Sequence, residues 1–334
     1  MYGIYENIRI AGVQAAVPAR IVDTKEVMEQ YNLGNAKTFV NRTGISQRRI
    51  VSEGQSATDM STVAASELMT NLRWKPEEIK VIVNVSRSVE LVTPSMAMII
   101  QKRLGIGTDC VAFDVNLGCT AFVSGLQIIS ALLSNIGGKG LLLVGYGIDG
   151  NATPQNRNDL LFGHASAATA IETMEGGRIL YSQNTDGTRF QHIYTPVNGE
   201  SVMDGNAVLM FALTDVSDSI REFKSYFSLE EDDIDYYVLH QAQKIILDGI
   251  ADECRLPEDK VLTSYKLFGN TNTTSIPVTM CLHSEILRRK ESVRLHMCGF
   301  GVGLAWSNVY LEMDSDKIFP ILETDKTYDD CRFM

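Results

Sequence analysis

Lys80-Val-Ile-Val-Asn-Val-Ser86, Cys110-Val-Ala-Phe-Asp-Val115 and Gly140-Leu-Leu-Leu-Val-Gly145 are three short apolar runs in the first half of the chain. Each is too short for a helix and reads as a buried strand. The stretches between them have a different period. Pro94 opens a helical pattern through Leu104, and from Cys119 to about Ser134 the apolar residues Phe122, Leu126, Ile129 and Leu133 fall at helical spacing. The second half repeats the order. Asp235-Tyr-Tyr-Val-Leu239 is a strand, His240 to Cys254 a helix, Lys260-Val-Leu-Thr-Ser264 a strand, Thr273 to Arg289 a helix, and Val293-Arg-Leu-His-Met-Cys298 a buried strand before the glycine loop Gly299–Gly303. The junctions agree as well: Glu77-Glu-Ile-Lys stands before the first unit and Glu231-Asp-Asp-Ile-Asp before the second.

Two related βαβαβ-type halves follow, with parallel-rich sheets covered by helices. The division expected is 1–175 for the first half and 176–334 for the second, which ends in a short acidic tail. Residues 151–230 are richer in Gly, Asn and polar side chains and read as an elaborated linker with strands of its own. The tail from Asp314 reads as either a docked segment or a surface stretch.

Composition bounds the function. The 334 residues are 45% hydrophobic and 21% charged, ordinary for a globular chain with a sizeable core. A net charge of −11 argues against a surface that tracks phosphates, so no nucleic-acid partner is expected. No apolar run reaches the length of a membrane span, and the start lacks a signal-peptide pattern, so a cytoplasmic protein with no membrane partner is the expectation. The cysteines at 110, 119, 254, 281, 298 and 331 form no C-x-x-C pair and read as reduced thiols. The histidines at 164, 192, 240, 283 and 296 show no zinc spacing, and no metal site is expected.

The duplication brings three chemical groups to matching places. Cys119 follows the second strand of the first half, in the turn Asn116-Leu-Gly-Cys119, and Asn270 follows its counterpart, in Phe268-Gly-Asn270-Thr-Asn-Thr. His240 ends the strand Val-Leu-His at the same edge. Ligands in open α/β layers sit at the carboxyl ends of strands. A thiol at a helix N-terminus feels the positive end of the dipole, which favours the attacking thiolate. Cys, His and Asn together are equipment for nucleophilic acyl chemistry. Taken singly, each has a plainer reading: a small apolar residue at a helix start, a core or capping histidine, a turn asparagine.

The whole set resembles the β-ketoacyl-acyl-carrier-protein synthase III family of the thiolase superfamily. The matching segments are Asn41-Arg-Thr-Gly-Ile45 with Arg48-Arg49-Ile50, Asp114-Val-Asn-Leu-Gly-Cys119, Leu161-Phe-Gly163 and Met203-Asp-Gly205. They continue with His240-Gln-Ala242, Gly269-Asn-Thr271 with Ser275-Ile-Pro277, and Gly299-Phe-Gly-Val-Gly-Leu-Ala-Trp306. They stand in family order from about residue 8 to 312. Each alone is weak; the ordered set is specific. The resemblance implies an α-β-α-β-α thiolase-like fold and an acyltransferase in fatty-acid or specialised lipid or polyketide biosynthesis. Cys119 takes an acyl group from a thioester. His240 and Asn270 hold the carbonyl of a malonyl-type thioester during decarboxylation, and the carbanion attacks the acyl-enzyme. The backbone N–H groups of Cys119 and Val302 form the oxyanion hole. Arg42, Thr43, Thr93, Gly205 and Gln243 are the implied substrate-binding positions. No metal or prosthetic cofactor is implied; acyl-CoA and acyl carrier protein are the implied partners, with a homodimer as the assembly.

Several positions depart from the fatty-acid-initiating members. Thr38 stands where they carry a tryptophan that stacks on the coenzyme A adenine, and Asn156 or Arg157 where they carry an arginine. Thr93 replaces a phenylalanine that closes the acyl tunnel from the partner subunit, so a primer longer than acetyl is expected. The helix after His240 offers Lys244 and Arg255 but adds Asp248, Asp252 and Glu253, which weakens docking of an acidic carrier protein. His164-Ala-Ser replaces Asp-Gly-Ala. These departures keep open a non-decarboxylative transfer from acyl-Cys119 to an oxygen, nitrogen or carbon nucleophile, and a catalytically silent partner subunit.

Overall fold

Alternation along the strands assigns each side chain to a layer, because successive residues of a strand face opposite sides of its sheet. In Ile79–Ser86, Val81, Val83 and Val85 join the central core and Ile82 the outer one, and Ile79 also falls in the outer one because the register shifts between Ile79 and Val81. In Lys139–Tyr146, Leu142 and Val144 point inward and Leu141 and Leu143 outward. The second half does the same: Leu295 and Met297 face the centre, Cys298 and Phe300 the far side. Each such buried aliphatic side chain contributes roughly 1.5–3 kcal/mol. The computed structural model describes residues 1–88, 90–147, 157–197 and 201–330.

The central layer consists of the helices Ala121–Ile136 and Ser275–Leu282, whose Phe122, Leu126, Ile129, Ile276 and Val278 share one core with strands of both halves. Outside the first half lie Ala57–Leu72 and Met96–Arg103; outside the second lie Gly205–Phe211, Ser217–Tyr226 and Lys244–Cys254. The layers therefore run helix, sheet, helix, sheet, helix. Ser56 caps Ala57–Leu72 through the Asp59 N–H at 3.1 Å, with Asp59 returning the bond. The Asp114 carboxylate caps Met96–Arg103, accepting from the N–H of Met96 and Ala97 at 2.6 and 2.9 Å.

Strand pairing repeats between the halves. Val111–Val115 runs parallel to Ile79–Ser86, which runs parallel to Lys139–Tyr146, which is antiparallel to Ala165–Thr185. In the second half Val261 bridges in parallel to Tyr237, Tyr236–Leu239 runs parallel to Ser292–Gly301, and that strand is antiparallel to Ala305–Asp314. Tyr2–Pro18 and Ala165–Thr185 pair along their lengths and belong to both halves, so the ladder is continuous through nine strands. Residues 175 and 176 lie within Ala165–Thr185.

Four expectations need correction. Residues 151–230 are not a linker: Ala165–Thr185 sits among the central strands, its Ala and Ser side chains small enough for two layers to meet there, and Gly205–Tyr226 is helical. Lys260–Ser264 is not a strand but a 3-10 turn followed by the single bridge at Val261. Thr273–Arg289 is not one helix; it begins with a 3-10 turn and breaks at His283 between Ser275–Leu282 and Ser284–Leu287. Gly299 to Gly301 belong to the strand Ser292–Gly301 and not to a loop. The tail is docked: Leu322–Thr324 pairs in parallel with Ala16–Pro18, and the Gln14 amide donates to the Pro320 carbonyl at 2.6 Å.

Candidate active site

Cys119 lies two residues before the helix Ala121–Ile136, at the carboxyl end of Val111–Val115. Its closest constraint is Gly301. A Cβ on that residue would stand 2.6 Å from the Cys119 Cβ and 2.7 Å from its Sγ, and Gly301 has φ +150°, which favours glycine. The end of Ser292–Gly301 is thus pressed against the thiol. The N–H groups of Val302 and of Cys119 itself both reach the sulfur.

Those two donors and the Arg87 cation favour the thiolate, but burial outweighs them and pushes the Cys119 thiol up. This differs from the expectation of a helix-activated thiolate. Helix position alone says nothing of the protein packed around the half-buried thiol.

His240 continues the strand Tyr236–Leu239, its N–H bonded to the Cys298 carbonyl at 2.8 Å. It is 2% exposed. Its Nδ1 lies 2.8 Å from the Oγ of Ser275, the first residue of the central helix Ser275–Leu282, and its ring meets Phe300 edge-on at 5.3 Å. Burial pulls its pKa down to about 3, so the imidazole is neutral near pH 7.

Asn270 stands five residues before Ser275–Leu282, with a 3-10 turn between, so it matches Cys119 only loosely. Its main chain is held by Leu161 and Gly163, through bonds of 2.8 and 3.1 Å. The side-chain Oδ1 accepts from the Asn272 N–H at 2.8 Å, which leaves the Nδ2 hydrogens to donate elsewhere.

Contacts link the three. Gly301 touches Cys119, and its neighbour Phe300 touches His240. Asn270 bridges to Phe162, whose ring stands 5.9 Å from Tyr146, and Tyr146 feels the charges of Cys119 and Arg87. The sequence reading does not single out Arg87, Tyr146 or Phe300. Arg87 follows Ile79–Ser86 and Tyr146 ends Lys139–Tyr146, so the strand-end rule applied to Cys119 also points to both.

The implied substrate-binding positions scatter. Arg42 is exposed in the last turn of Ala36–Thr43. Thr43 is buried and its hydroxyl is used locally, donating to the Phe39 carbonyl at 2.9 Å and accepting from the Ile45 N–H at 3.2 Å. A Cβ on Gly44 would meet the Lys244 Cβ at 2.9 Å, which places this corner beside half-buried Gln243. Thr93 and Gly205 are exposed, with open space around Gly205. Thr38 is exposed in the first turn of its helix. Asn156 and the side chain of Arg157 fall outside the described residues. Lys244 pairs with Asp248, and Asp252, Glu253 and Arg255 are exposed, so the helix has a mixed-charge outer face. His164 is structural: its Nδ1 accepts from the Val51 N–H at 3.1 Å, and burial pulls its pKa down to about 4.

Comparisons with known proteins find relatives among condensing enzymes. Residues 227–313 match the family model of the 3-oxoacyl-[acyl-carrier-protein (ACP)] synthase III C terminal. The chain is 28% identical over 330 residues to the β-ketoacyl-[acyl-carrier-protein] synthase III of Syntrophomonas wolfei, covering 93% of this chain and 99% of that one. The Staphylococcus saprophyticus protein of the same name is 29% identical, with 91% and 98% covered. The crystal structure of a 3-oxoacyl-(acyl-carrier protein) synthase from Burkholderia xenovorans superposes with a TM-score of 0.91 at 27% identity, covering 97% of this chain and 99% of that one. OleA of Xanthomonas campestris shares the fold, with a TM-score of 0.83 at 21% identity and 93% and 99% covered.

Proposed function

The chain belongs to the β-ketoacyl-acyl-carrier-protein synthase III family of condensing enzymes, and on that premise we propose that Cys119, His240 and Asn270 carry its reaction. One observation supports this most: the segment Phe300-Gly-Val302 touches Cys119 and His240 at once and presents the Val302 N–H to the sulfur. The activity is acyl transfer of the fatty-acid-biosynthetic type.

In the loading step the Cys119 sulfur attacks the carbonyl of an acyl thioester, and the donor thiol leaves with the proton. The developing oxyanion sits between the N–H groups of Cys119 and Val302, where losing one donor is worth roughly 3 kcal/mol of barrier. In the second step a malonyl-type thioester gives up carbon dioxide. The electrons of the broken C–C bond form an enolate, the enolate carbon attacks the acyl carbonyl, and the Cys119 thiolate is expelled. The product is a β-ketoacyl thioester.

A histidine with pKa near 3 is a poor base and a good neutral donor. If the Ser275 hydroxyl donates to Nδ1, the ring proton lies on Nε2. Nε2–H and the Asn270 Nδ2–H are then two neutral donors for the enolate oxygen. Acyl-CoA is the proposed donor, carrier protein a second partner, the primer longer than acetyl and the site cytoplasmic. A two-fold dimer completes the proposal.

The test is to incubate the protein with an acyl-CoA and a malonyl thioester, following carbon dioxide release and the mass of the protein. His240→Ala and Asn270→Ala should each slow release by on the order of 100-fold while Cys119 still acquires its acyl group. Cys119→Ser should acquire none. An adduct without carbon dioxide release points to simple acyl transfer, and no adduct at all to a silent subunit.

A further inference from the structure

Arg87, Cys119 and Tyr146 follow or end three neighbouring parallel strands of the first half, so they share one edge of the sheet. The Arg87 stem packs beside the turn that carries the thiol: its Cδ stands 3.8 Å from the point where a Cβ on Gly118 would lie. Its guanidinium donates to the Thr195 hydroxyl at 2.7 Å, which in turn shares a hydrogen bond of 2.7 Å with Ser201. Arg87 is half-buried, and among the described residues no carboxylate pairs with it. Tyr146 adds a second donor, its phenol kept protonated by burial that lifts the pKa to about 12.

A guanidinium whose partner is a neutral hydroxyl has four further N–H donors in a fixed fork, matched to a carboxylate. Resting on the acyl-loading reading above, we infer that Arg87 recognises a carboxylate at the far end of the acyl group carried by Cys119, making this an enzyme for ω-carboxyacyl primers. The carboxylate that leaves as carbon dioxide is the wrong occupant. Pairing it with a guanidinium stabilises the ground state more than the enolate and slows decarboxylation. The enolate's proposed donors, His240 and Asn270, also come from the other half. The phosphates of coenzyme A are a second source of anion, and the test separates them.

The experiment measures the rate of adduct formation on Cys119 by intact mass, using succinyl and glutaryl thioesters of N-acetylcysteamine against butyryl and valeryl thioesters, and the corresponding CoA thioesters. N-acetylcysteamine has no phosphate. The wild-type protein should load the carboxylated chains roughly tenfold or more faster than the uncharged ones in both series, and Arg87→Gln should bring that ratio close to one. Arg87→Lys should restore part of the ratio. Because the cation also affects the thiol, the ratio and not the absolute rate is the readout. Uncharged chains loading as fast as carboxylated ones, or a preference confined to the CoA series, overturns the inference and leaves acyl loading intact. No adduct from any thioester overturns the acyl-loading reading and this inference together.

Discussion

At Cys119 two influences oppose each other, and their balance sets how the sulfur reacts. Donated N–H groups and the Arg87 cation favour the thiolate; loss of water disfavours it more. Raising a thiol pKa moves the reactive fraction to higher pH, so alkylation by iodoacetamide should keep accelerating beyond the pH at which an ordinary cysteine has levelled off. Removing the cation in Arg87→Gln should shift that profile further upward. A profile levelling at or below the ordinary cysteine range shows that burial does not dominate. Cys119, His240 and Asn270 stand out in the sequence because His240 directly follows an apolar run, and Cys119 and Asn270 sit in short turns after runs read as strands. Arg87 and Tyr146 follow the same rule but were passed over, since a lone arginine or tyrosine beside a strand is usually a surface or packing residue. A motif match at Thr43 does not reveal that its hydroxyl already donates to the Phe39 carbonyl and accepts from the Ile45 N–H.

At the scale of elements, the proposed site depends on one strand end pressed against one helix start. Gly301 allows that contact, and Gly301→Ala tests it. The new methyl group would occupy the space within 2.7 Å of the sulfur, so Cys119 has to move or the strand end has to retreat, carrying the Val302 N–H with it. Displacing reacting groups by about 1 Å can cost on the order of 100-fold in rate. Acylation should fall by that order, while the melting temperature drops by only about 1–2 °C, since a loss of about 1 kcal/mol has that effect in a chain of this size. Equal loading by the variant shows that the contact is slack. Strands with continuous apolar runs were readable; two kinds of element were not. Ala165–Thr185 is hard to read because its alanines and serines carry a weak strand signal, although burial between layers selects small side chains there. The pattern over 260–264 was overread, because the second half closes its sheet with only the bridge at Val261.

For the molecule as a whole, the repeated order of strands explains why residues far apart in sequence meet, and it also leaves an edge. Val111–Val115 is the outermost strand of the first half, bonded on one side to Ile79–Ser86 and unpaired on the other among the described residues. Val111 on it is 45% exposed and Met98 in the neighbouring helix 47%. A free edge next to apolar side chains invites pairing with another chain unless charge or proline blocks it. No charged side chain interrupts that strand except Asp114, whose carboxylate is occupied with the N–H groups of Met96 and Ala97. In the proposed dimer a two-fold axis beside this edge would join two copies antiparallel, so that Val111 of each copy would approach the same strand of the other. Sedimentation should therefore give twice the mass of the chain. Val111→Glu places a carboxylate in each copy at that seam and should shift the equilibrium to monomer at micromolar concentration, with the fold retained by circular dichroism. A variant that stays dimeric puts the interface on another face; a wild-type monomer denies the assembly. Thr93 lies on the same part of the first half, close to the start of Met96–Arg103. If the edge pairs as argued, the exposed Thr93 of one copy is covered by the other, and monomeric Val111→Glu should lose acylation selectivity along with its partner.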